Sequence, residues 1–452
     1  MQIDVLVAEI GSTTTVVNAF NVHGKAEFLG QGQAPTSVQD GDVLIGLKAA
    51  VAALAKNLGA ESVDYIEMLA TSSAAGGLRM SVHGLVYDMT VRAAKEAALG
   101  AGAVLKLATA GKMRRAELRQ VKELNPNIIL VAGGVDYGER ETALDNFESL
   151  TDICPDVPFI YAGNLQNREE ISLIAEEKGI RVHIVDNVYP RVDELDIEPT
   201  RRVIQAVFEE HIIHAPGMSQ IRDMVKSKIM PTPGAVMEAA KLLHEELGDL
   251  IVFDVGGATT DLHSVTGGSP EFADILISPE PFAKRTVEGD LGVFVNIPHI
   301  VEKIGMEELT RIFPNAQELI DKATPIPVTG EQKRFIEYLT KTASSTALER
   351  HAGKLTDFYG PNGKKTLASG KDLTAIKYLV ATGGALTRLP ARVDILESLP
   401  EPSTSTRLTP RRGARALIDN DYIMASLGVL SLVHRQVALD LLMQSLNRQD
   451  VS

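Results

Sequence analysis

Two stretches of the chain put a carboxylate, a glycine and a pair of threonines in the same order. The first is Leu6-Val7-Ala8-Glu9-Ile10-Gly11-Ser12-Thr13-Thr14-Thr15. The second, half a chain later, is Ile251-Val252-Phe253-Asp254-Val255-Gly256-Gly257-Ala258-Thr259-Thr260. Each reads as a short buried strand ending in an acid, a glycine turn and a Thr-rich second strand, so each predicts a hairpin. The tip of such a hairpin suits an anion: glycine lets backbone amides come close, and Ser or Thr hydroxyls add donors. A carboxylate beside a phosphate is repulsive unless a divalent cation lies between them. Glu9 and Asp254 are therefore expected on the Mg²⁺ side, acting through water, because Mg²⁺ keeps several of its waters. One Gly-Ser-Thr turn would pass for an ordinary hairpin. Two matching copies make a phosphate site the better reading, with Gly11, Ser12, Thr13, Thr14 and Thr15 in one half and Gly256, Gly257, Ala258, Thr259 and Thr260 in the other.

A third segment, Tyr378-Leu379-Val380-Ala381-Thr382-Gly383-Gly384-Ala385-Leu386, runs a buried strand into two glycines, where a flat ring can lie against backbone. Alone it also reads as a structural strand, turn and helix, and Gly76-Gly77 and Gly133-Gly134 are equally glycine-rich. Other chemistry-bearing residues have plainer readings. His211 and His214 share a helix face but lack a third metal ligand. His263 reads as a packed or solvent-side histidine, and Lys112, Arg114 and Arg115 as a solvated surface. Ser72 and Ser73 lack the glycine elbow of a hydrolase nucleophile. Glu288 and Asp290, flanking Gly289, form a polar loop that suits either a ligand contact or a plain turn.

The elements that position these residues follow from periodicity. Strand and helix patterns alternate from Asp64 through Val185, with strands at Asp64–Leu69, Asn127–Ala132, Pro158–Ala162 and Arg181–Val185. Helices are expected at Ala93–Gly102, Glu139–Leu150 and Arg168–Lys178, which favours a mostly parallel sheet. Helical pattern returns at Arg201–Ile213, Gly234–Leu247, Glu331–His351 and Leu417–Met443, whereas Asp274–Gly292 is loop-rich. The expected division is 1–107 for the first part of one lobe, 108–190 for an inserted α/β subdomain, 191–248 for the rest of that lobe, and 249–452 for a second lobe.

Composition narrows the function. The chain has 452 residues, 44% hydrophobic and 23% charged, an ordinary soluble composition. With 45 Lys+Arg against 59 Asp+Glu, the formal charge of −14 argues against nucleic acid as the main partner. No apolar run approaches the length that spans a bilayer, and Met1-Gln2-Ile3-Asp4 carries no basic leader, so a cytoplasmic protein is expected. The single cysteine, Cys154, excludes an intrachain disulfide and has no neighbour that would activate it.

The order of the segments resembles the actin-like ATPase superfamily. Glu9–Thr15 matches its first phosphate hairpin, Pro231–Val236 with Glu238-Ala239-Ala240 a connecting helix, and Asp254–Asp261 the second phosphate hairpin. Ala381–Leu386 matches the adenosine segment and Asp421–Gly428 the final connecting helix. The resemblance implies a two-lobed α/β fold, a duplicated ribonuclease-H-like unit with an inserted α/β subdomain. ATP would lie between the lobes, Gly383 and Gly384 beneath its adenosine, and Glu9, Asp254 and Asp261 would act catalytically.

Nearly the whole chain is similar to a narrower group, the MutL-like accessory proteins encoded with adenosylcobalamin-dependent glutamate mutase. The matching residues are Thr71–Met80, Val131–Asn146, Tyr161–Glu170 and Arg285–Gly292. That resemblance implies a chaperone-like reactivase, not the mutase itself, which uses ATP to release damaged cobalamin from a partner mutase subunit. Three departures bear on hydrolysis. Glu9 replaces the usual Asp, Val16 stands where Lys is frequent, and Met230 stands where related chaperones place a water-positioning Glu. Slow turnover, resting on Mg²⁺ and Asp254 or Asp261, is expected. A small-molecule kinase and a non-catalytic nucleotide-dependent scaffold use the same fold and remain the alternatives.

Overall fold

The computed structural model describes residues 1–11, 14–37, 42–73, 78–212, 218–225, 229–360, 363–402 and 404–447. The chain divides into two compact units, Met1–Ala235 and Val236–Ser452. The division falls inside the helix Thr232–Leu247, so it lies N-terminal to the boundary expected at 248.

The first unit opens with β1 (Gln2–Ile10), β2 (Thr14–Asn21), β3 (Glu27–Pro35) and β4 (Asp64–Ser72). Alternation along β1 sends Leu6, Ala8 and Ile10 into a core with Leu47, Ala50 and Leu54 of the helix Val43–Asn57. β3 escapes the apolar pattern because that helix packs directly on its backbone. A Cβ on Gly32 would lie 2.2 Å from the Ala50 carbonyl oxygen, so only glycine fits.

Between β4 and the strand that completes this sheet, the chain builds a second sheet. Its strands are β5 (Arg79–Gly84), β6 (Val104–Ala110), β7 (Ile128–Val131), β8 (Phe159–Tyr161) and β9 (Val182–Ile184). They are parallel throughout, in the order β6-β5-β7-β8-β9. This is a doubly wound arrangement, with the first strand inside and the second at the edge. Ile129, Val131, Phe159 and Tyr161 pack with Val121, Phe147, Leu150 and Ile171 from the helices on one face. Ile128, Leu130 and Ile160 join Val91, Ala94 and Ala98 in the core of the first unit. The inserted sheet thus begins at Arg79, well before the expected 108. Its first strand lacks an apolar signature because it buries a polar group: His83 Nδ1 meets Thr109 Oγ1 at 2.8 Å and its Nε2 meets Ser81 Oγ at 3.0 Å. The chain then returns as β10 (Met230–Pro231), parallel to β4, and the first sheet reads β10-β4-β1-β2-β3.

The second unit builds β11 (Leu250–Val255), β12 (Thr260–Val265) and β13 (Ala283–Glu288). A separate hairpin follows, β14 (Lys354–Gly360) with β15 (Gly363–Ser369), and then β16 (Tyr378–Thr382) and β17 (Arg415–Ile418). Its main sheet reads β13-β12-β11-β16-β17. Antiparallel pairs join the first three strands and parallel pairs the last two, as in β3-β2-β1-β4-β10. The unit is therefore duplicated in order and sense, which is the actin-like ATPase fold with an inserted α/β subdomain. Ile251, Phe253 and Leu262 pack against Phe335, Leu339 and Ala343 of the helix Gly330–His351. Each of the buried Ile, Leu and Phe side chains contributes about 1.5–3 kcal/mol.

Two expected elements change. Asp274–Gly292 holds β13 as well as loop, and the helix expected over Leu417–Met443 is interrupted. The run starts at the end of β17, turns through Tyr422 at φ 55°, and only then forms the helices Met424–Leu430 and Arg435–Asn447. No helix among the described residues is long and apolar enough to cross a membrane.

Candidate functional site

Both Thr-bearing bends close with the same hydrogen bond. In the first unit Gly11 N–H donates to Thr14 O at 3.0 Å, and in the second Gly256 N–H donates to Thr259 O at 2.9 Å. The next ladder pairs are Ile10 with Thr15 and Val255 with Thr260. Strand alternation then separates the two threonines of each bend. Thr14 is exposed and Thr259 half-buried, while Thr15 and Thr260 point inward and are fully buried. The Thr15 hydroxyl meets Thr36 Oγ1 at 2.9 Å, and Thr260 Oγ1 donates to Leu291 O at 2.7 Å. Thr15 and Thr260, expected as phosphate contacts, have hydroxyls that tie each bend to its neighbours. Ser12 and Thr13 lie outside the described residues.

The three expected carboxylates differ in their surroundings. Glu9 is nearly buried and accepts a long hydrogen bond of 3.4 Å from Asn18 Nδ2; Asn18 in turn accepts from Gln31 Nε2 at 2.9 Å. Asp254 is half-buried at the equivalent place on β11 and stands directly opposite Asp261 on β12, so both carboxylates share a face of the sheet. Asp261 is only 5% exposed and is engaged on both oxygens. Arg285 donates to Oδ1 from Nε at 3.0 Å and from Nη2 at 2.6 Å, and Thr259 Oγ1 donates to Oδ2 at 2.9 Å. A carboxylate held by a guanidinium on one side and a hydroxyl on the other is poorly placed to accept a substrate proton.

The segment after β13 forms the back wall of the second bend. Val293 N–H donates to Gly256 O, while Phe294 and Val295 N–H donate to Gly257 O. Asn296 Nδ2 donates to Ala258 O at 2.7 Å and to Gly289 O at 2.9 Å. Gly292 lies flat against the bend, where a Cβ would sit 2.2 Å from the Ala258 carbonyl carbon. Glu288 and Asp290 do not face a ligand on their own: Arg350 Nη1 lies 2.5 Å from Glu288 Oε2 and 2.7 Å from Asp290 Oδ1. Burial pushes Glu288 above the usual carboxylate range, whereas the Arg350 hydrogen bond holds the more exposed Asp290 below it. The sequence pattern flagged this loop as polar but not its role. Gly292 stood out beside this loop and in the Arg285–Gly292 run that carries the resemblance, whereas Asn296 carried no signal.

In the segment expected to meet adenosine, Gly383 has φ 82° and is buried against the end of β11. A Cβ there would lie 2.5 Å from Asp254 Oδ1 and 2.6 Å from Val255 N. Gly384 is exposed with open space beside it, and it begins a helix. Asp419, which the sequence did not single out, fixes this strand end. It is fully buried, accepts from Thr382 Oγ1 at 3.0 Å, Ser445 Oγ at 2.8 Å and Met424 N–H at 2.9 Å, and burial pushes its carboxyl up.

The remaining candidates take structural places. His263 is fully buried, and its two ring nitrogens have no hydrogen-bond partner among the described residues. Burial first, and then Arg285, hold it well below the usual histidine range. Cys154 is buried and burial pushes its thiol up, which disfavours the nucleophilic thiolate. Lys112 pairs with Asp145 at 2.6 Å. Met230 is buried in β10, where it pairs with Thr71, and Val16 is buried opposite Glu9. His214, Gly76 and Gly77 lie outside the described residues.

Among curated proteins the chain is similar to Protein MutL of Clostridium tetanomorphum, with 34% identity over 443 residues, 94% of this chain and 95% of that one. Among solved structures it is similar to a nucleotide-free diol dehydratase-reactivating factor, at 11% identity and a TM-score of 0.37, over 95% of this chain and 99% of that one. It is also similar to a glycerol dehydratase reactivase, at 11% identity and a TM-score of 0.32, over 94% of this chain and 99% of that one. The family model described as MutL protein matches residues 5–446. With nearly its full length matched, the chain belongs to the MutL protein family.

Proposed function

We propose that the chain is an ATP-binding, slowly hydrolysing reactivating factor for an adenosylcobalamin-dependent mutase of the glutamate mutase type, working in the cytoplasm. The observation that carries the nucleotide part is the matched closure of the two bends, Gly11 to Thr14 and Gly256 to Thr259, in a chain of the MutL family. Bends of this kind bind phosphate through backbone amides and hydroxyls. Gly11, Ser12, Thr13 and Thr14 serve in one unit and Gly256, Gly257, Ala258 and Thr259 in the other, with Gly383 and Gly384 against the adenosine.

Mg²⁺ fits this arrangement as a companion of the phosphates. Among the described residues no group of three or more His, Cys, Asp or Glu side chains could hold a metal. One or two carboxylates suffice where phosphates and waters complete the shell, and Glu9 and Asp254 would hold those waters. When bound, the cation neutralises charge that develops on the transferring phosphoryl group. Asp254 orients the attacking water. The buried Met230 contributes no polar group, which is why hydrolysis is slow.

Slow hydrolysis suits a switch, in which the terminal phosphate sets one conformation for as long as it persists. The partner mutase subunit docks through the inserted doubly wound sheet, and the nucleotide state sets the affinity for it. Incubating purified protein with inactivated mutase, ATP and Mg²⁺ restores mutase turnover. Equal restoration without ATP refutes the switch.

A further inference from the structure

The hairpin of β14 and β15 is a sheet of two strands in the second unit, and its base is packed on one face. Strand alternation puts Leu355 and Ala368 on that inner face, where they join Phe272 and Leu408. The other face carries Lys354, Thr356 and Phe358 from β14. Lys365 and Leu367 of β15 lie beside them, through the pairings Phe358 with Lys365 and Thr356 with Leu367. Arg407 bridges antiparallel to Lys354 and extends this face. Phe358 is 49% exposed. Lys354 and Lys365 are exposed and have no carboxylate partner among the described residues, while Arg407 shares Glu349 at 3.5 Å. On the inner side, beyond the packed base, Lys364 is neutralised by Asp357 at 2.9 Å.

Lysines along a short strand pair guard against stray strand pairing, but such a guard has no need of an exposed phenylalanine. Two free cations and one shared arginine are too few for nucleic acid or an anionic membrane, which are held by about 6–10 phosphate contacts or by clusters of about 4–8 basic residues. An aromatic ring at the centre with charged groups at the rim is instead the anatomy of a protein contact. The chain carries a formal charge of −14, so most of its surface repels an acidic partner, which can approach where cations are grouped. We infer that this face docks an acidic surface of the partner mutase subunit, with Phe358 in an apolar recess whose rim carboxylates meet Lys354, Lys365 and Arg407. This docking rests on the reactivating-factor reading above and is complete within the second unit. Tyr359 is 80% exposed but lies on the opposite face of the hairpin, out of reach of a partner seated here.

Biolayer interferometry with immobilised mutase subunit reads the affinity of the full chain in ATP and Mg²⁺. Phe358→Ala lowers that affinity about thirtyfold, the loss expected of a hot-spot aromatic, by the same factor at low and high salt. Lys354→Glu combined with Lys365→Glu lowers it about tenfold at low salt and about twofold at about 0.5 M, because salt screens exposed charges. Tyr359→Ser leaves it within about twofold of wild type. All these side chains are exposed, so the melting midpoints stay those of wild type, as does binding of N-methylanthraniloyl ATP in a fluorescent-nucleotide assay. Wild-type affinity or wild-type restoration of mutase turnover by Phe358→Ala overturns the inference, as does an equal loss for Tyr359→Ser. Capture of duplex DNA or phosphatidylserine vesicles through Lys354 and Lys365, with mutase binding indifferent to both, also overturns it. A wild-type chain that neither binds the mutase nor restores its turnover refutes the proposed function itself.

Discussion

Gly292 offers a severe test of the back wall behind the second bend. Replacing it with alanine places a Cβ 2.2 Å from the Ala258 carbonyl carbon, 2.4 Å from its oxygen and 2.6 Å from its Cα. These are backbone atoms, so no side chain can rotate away, and relief requires the bend and the wall to part by about 1 Å, given ordinary contact distances near 3.5–4.0 Å and some local give. The bend cannot follow cheaply, because Val293, Phe294 and Val295 donate to Gly256 and Gly257, and Asn296 donates to Ala258 O. Overpacking of this kind costs about 1–3 kcal/mol, which lowers the melting midpoint of a unit of this size by about 3–9 °C. Displacing the amides of the bend also weakens nucleotide binding, by about tenfold if one hydrogen bond of about 1.4 kcal/mol is lost. Gly289→Ala is the control, since a Cβ there meets nothing within 4 Å. Differential scanning fluorimetry and the fluorescent-nucleotide assay read both effects. A Gly292→Ala variant that melts and binds like wild type refutes the wall. Equal damage from Gly289→Ala means that the Cβ contact is not the cause.

Two further outcomes follow from buried charge. Burial holds His83 down to about 3, and holds His263 and His351 well below the usual histidine value. The unfolded chain therefore takes up protons first: this stability is complete above about pH 6.5 and is lost as the pH falls towards the folded values, by about 1.4 kcal/mol per pH unit for each histidine. The first unit also holds His183, which burial likewise holds below the usual value, so each unit has two such histidines and both units lose stability in urea titrations as the pH falls from 6 to 5; a midpoint that does not move over this range contradicts the assignment. Arg350→Met removes the partner of Glu288 and Asp290, and partial exposure limits the cost to about 1 kcal/mol. It shifts the urea midpoint slightly, with a smaller shift in high salt, and a salt-independent shift argues against an ion-pair origin.

The sequence made the two hairpins legible because their chemistry is local: acid, glycine and threonine sit within seven residues in each copy. The strand Tyr378–Thr382 and the helices Arg168–Lys178 and Gly330–His351 were legible for the same reason, as unbroken periodic runs. Elements whose pattern answers to a distant neighbour were not legible. β5 carries Ser81 and His83 because Thr109, on another strand, satisfies the ring. β3 carries Gly30 and Gly32 because a helix rests on its backbone. In the site, Asp261 looks like a free catalytic acid until Arg285 is brought beside it from a strand that the sequence reads as loop. The inward turn of Thr15 and Thr260 is a matter of strand parity, which a Thr-Thr pair leaves undecided until the register is fixed.

The placing of the inserted sheet has a consequence for assembly. β10 joins β4 through Met230 beside Thr71 and Pro231 beside Ser72, and the whole doubly wound sheet lies in the chain between these partners. Closing so long a loop costs chain entropy that grows only slowly with length, but two residue pairs return little enthalpy against it. Parallel pairings of high sequence separation form late. The five parallel strands, whose neighbours are mostly one connection apart, can collapse first and bring the two ends of the interruption together. In nascent-chain order, the β10 edge of the first sheet is then a late seam to close, and a lesion in the insertion would delay the completion of a sheet it does not belong to.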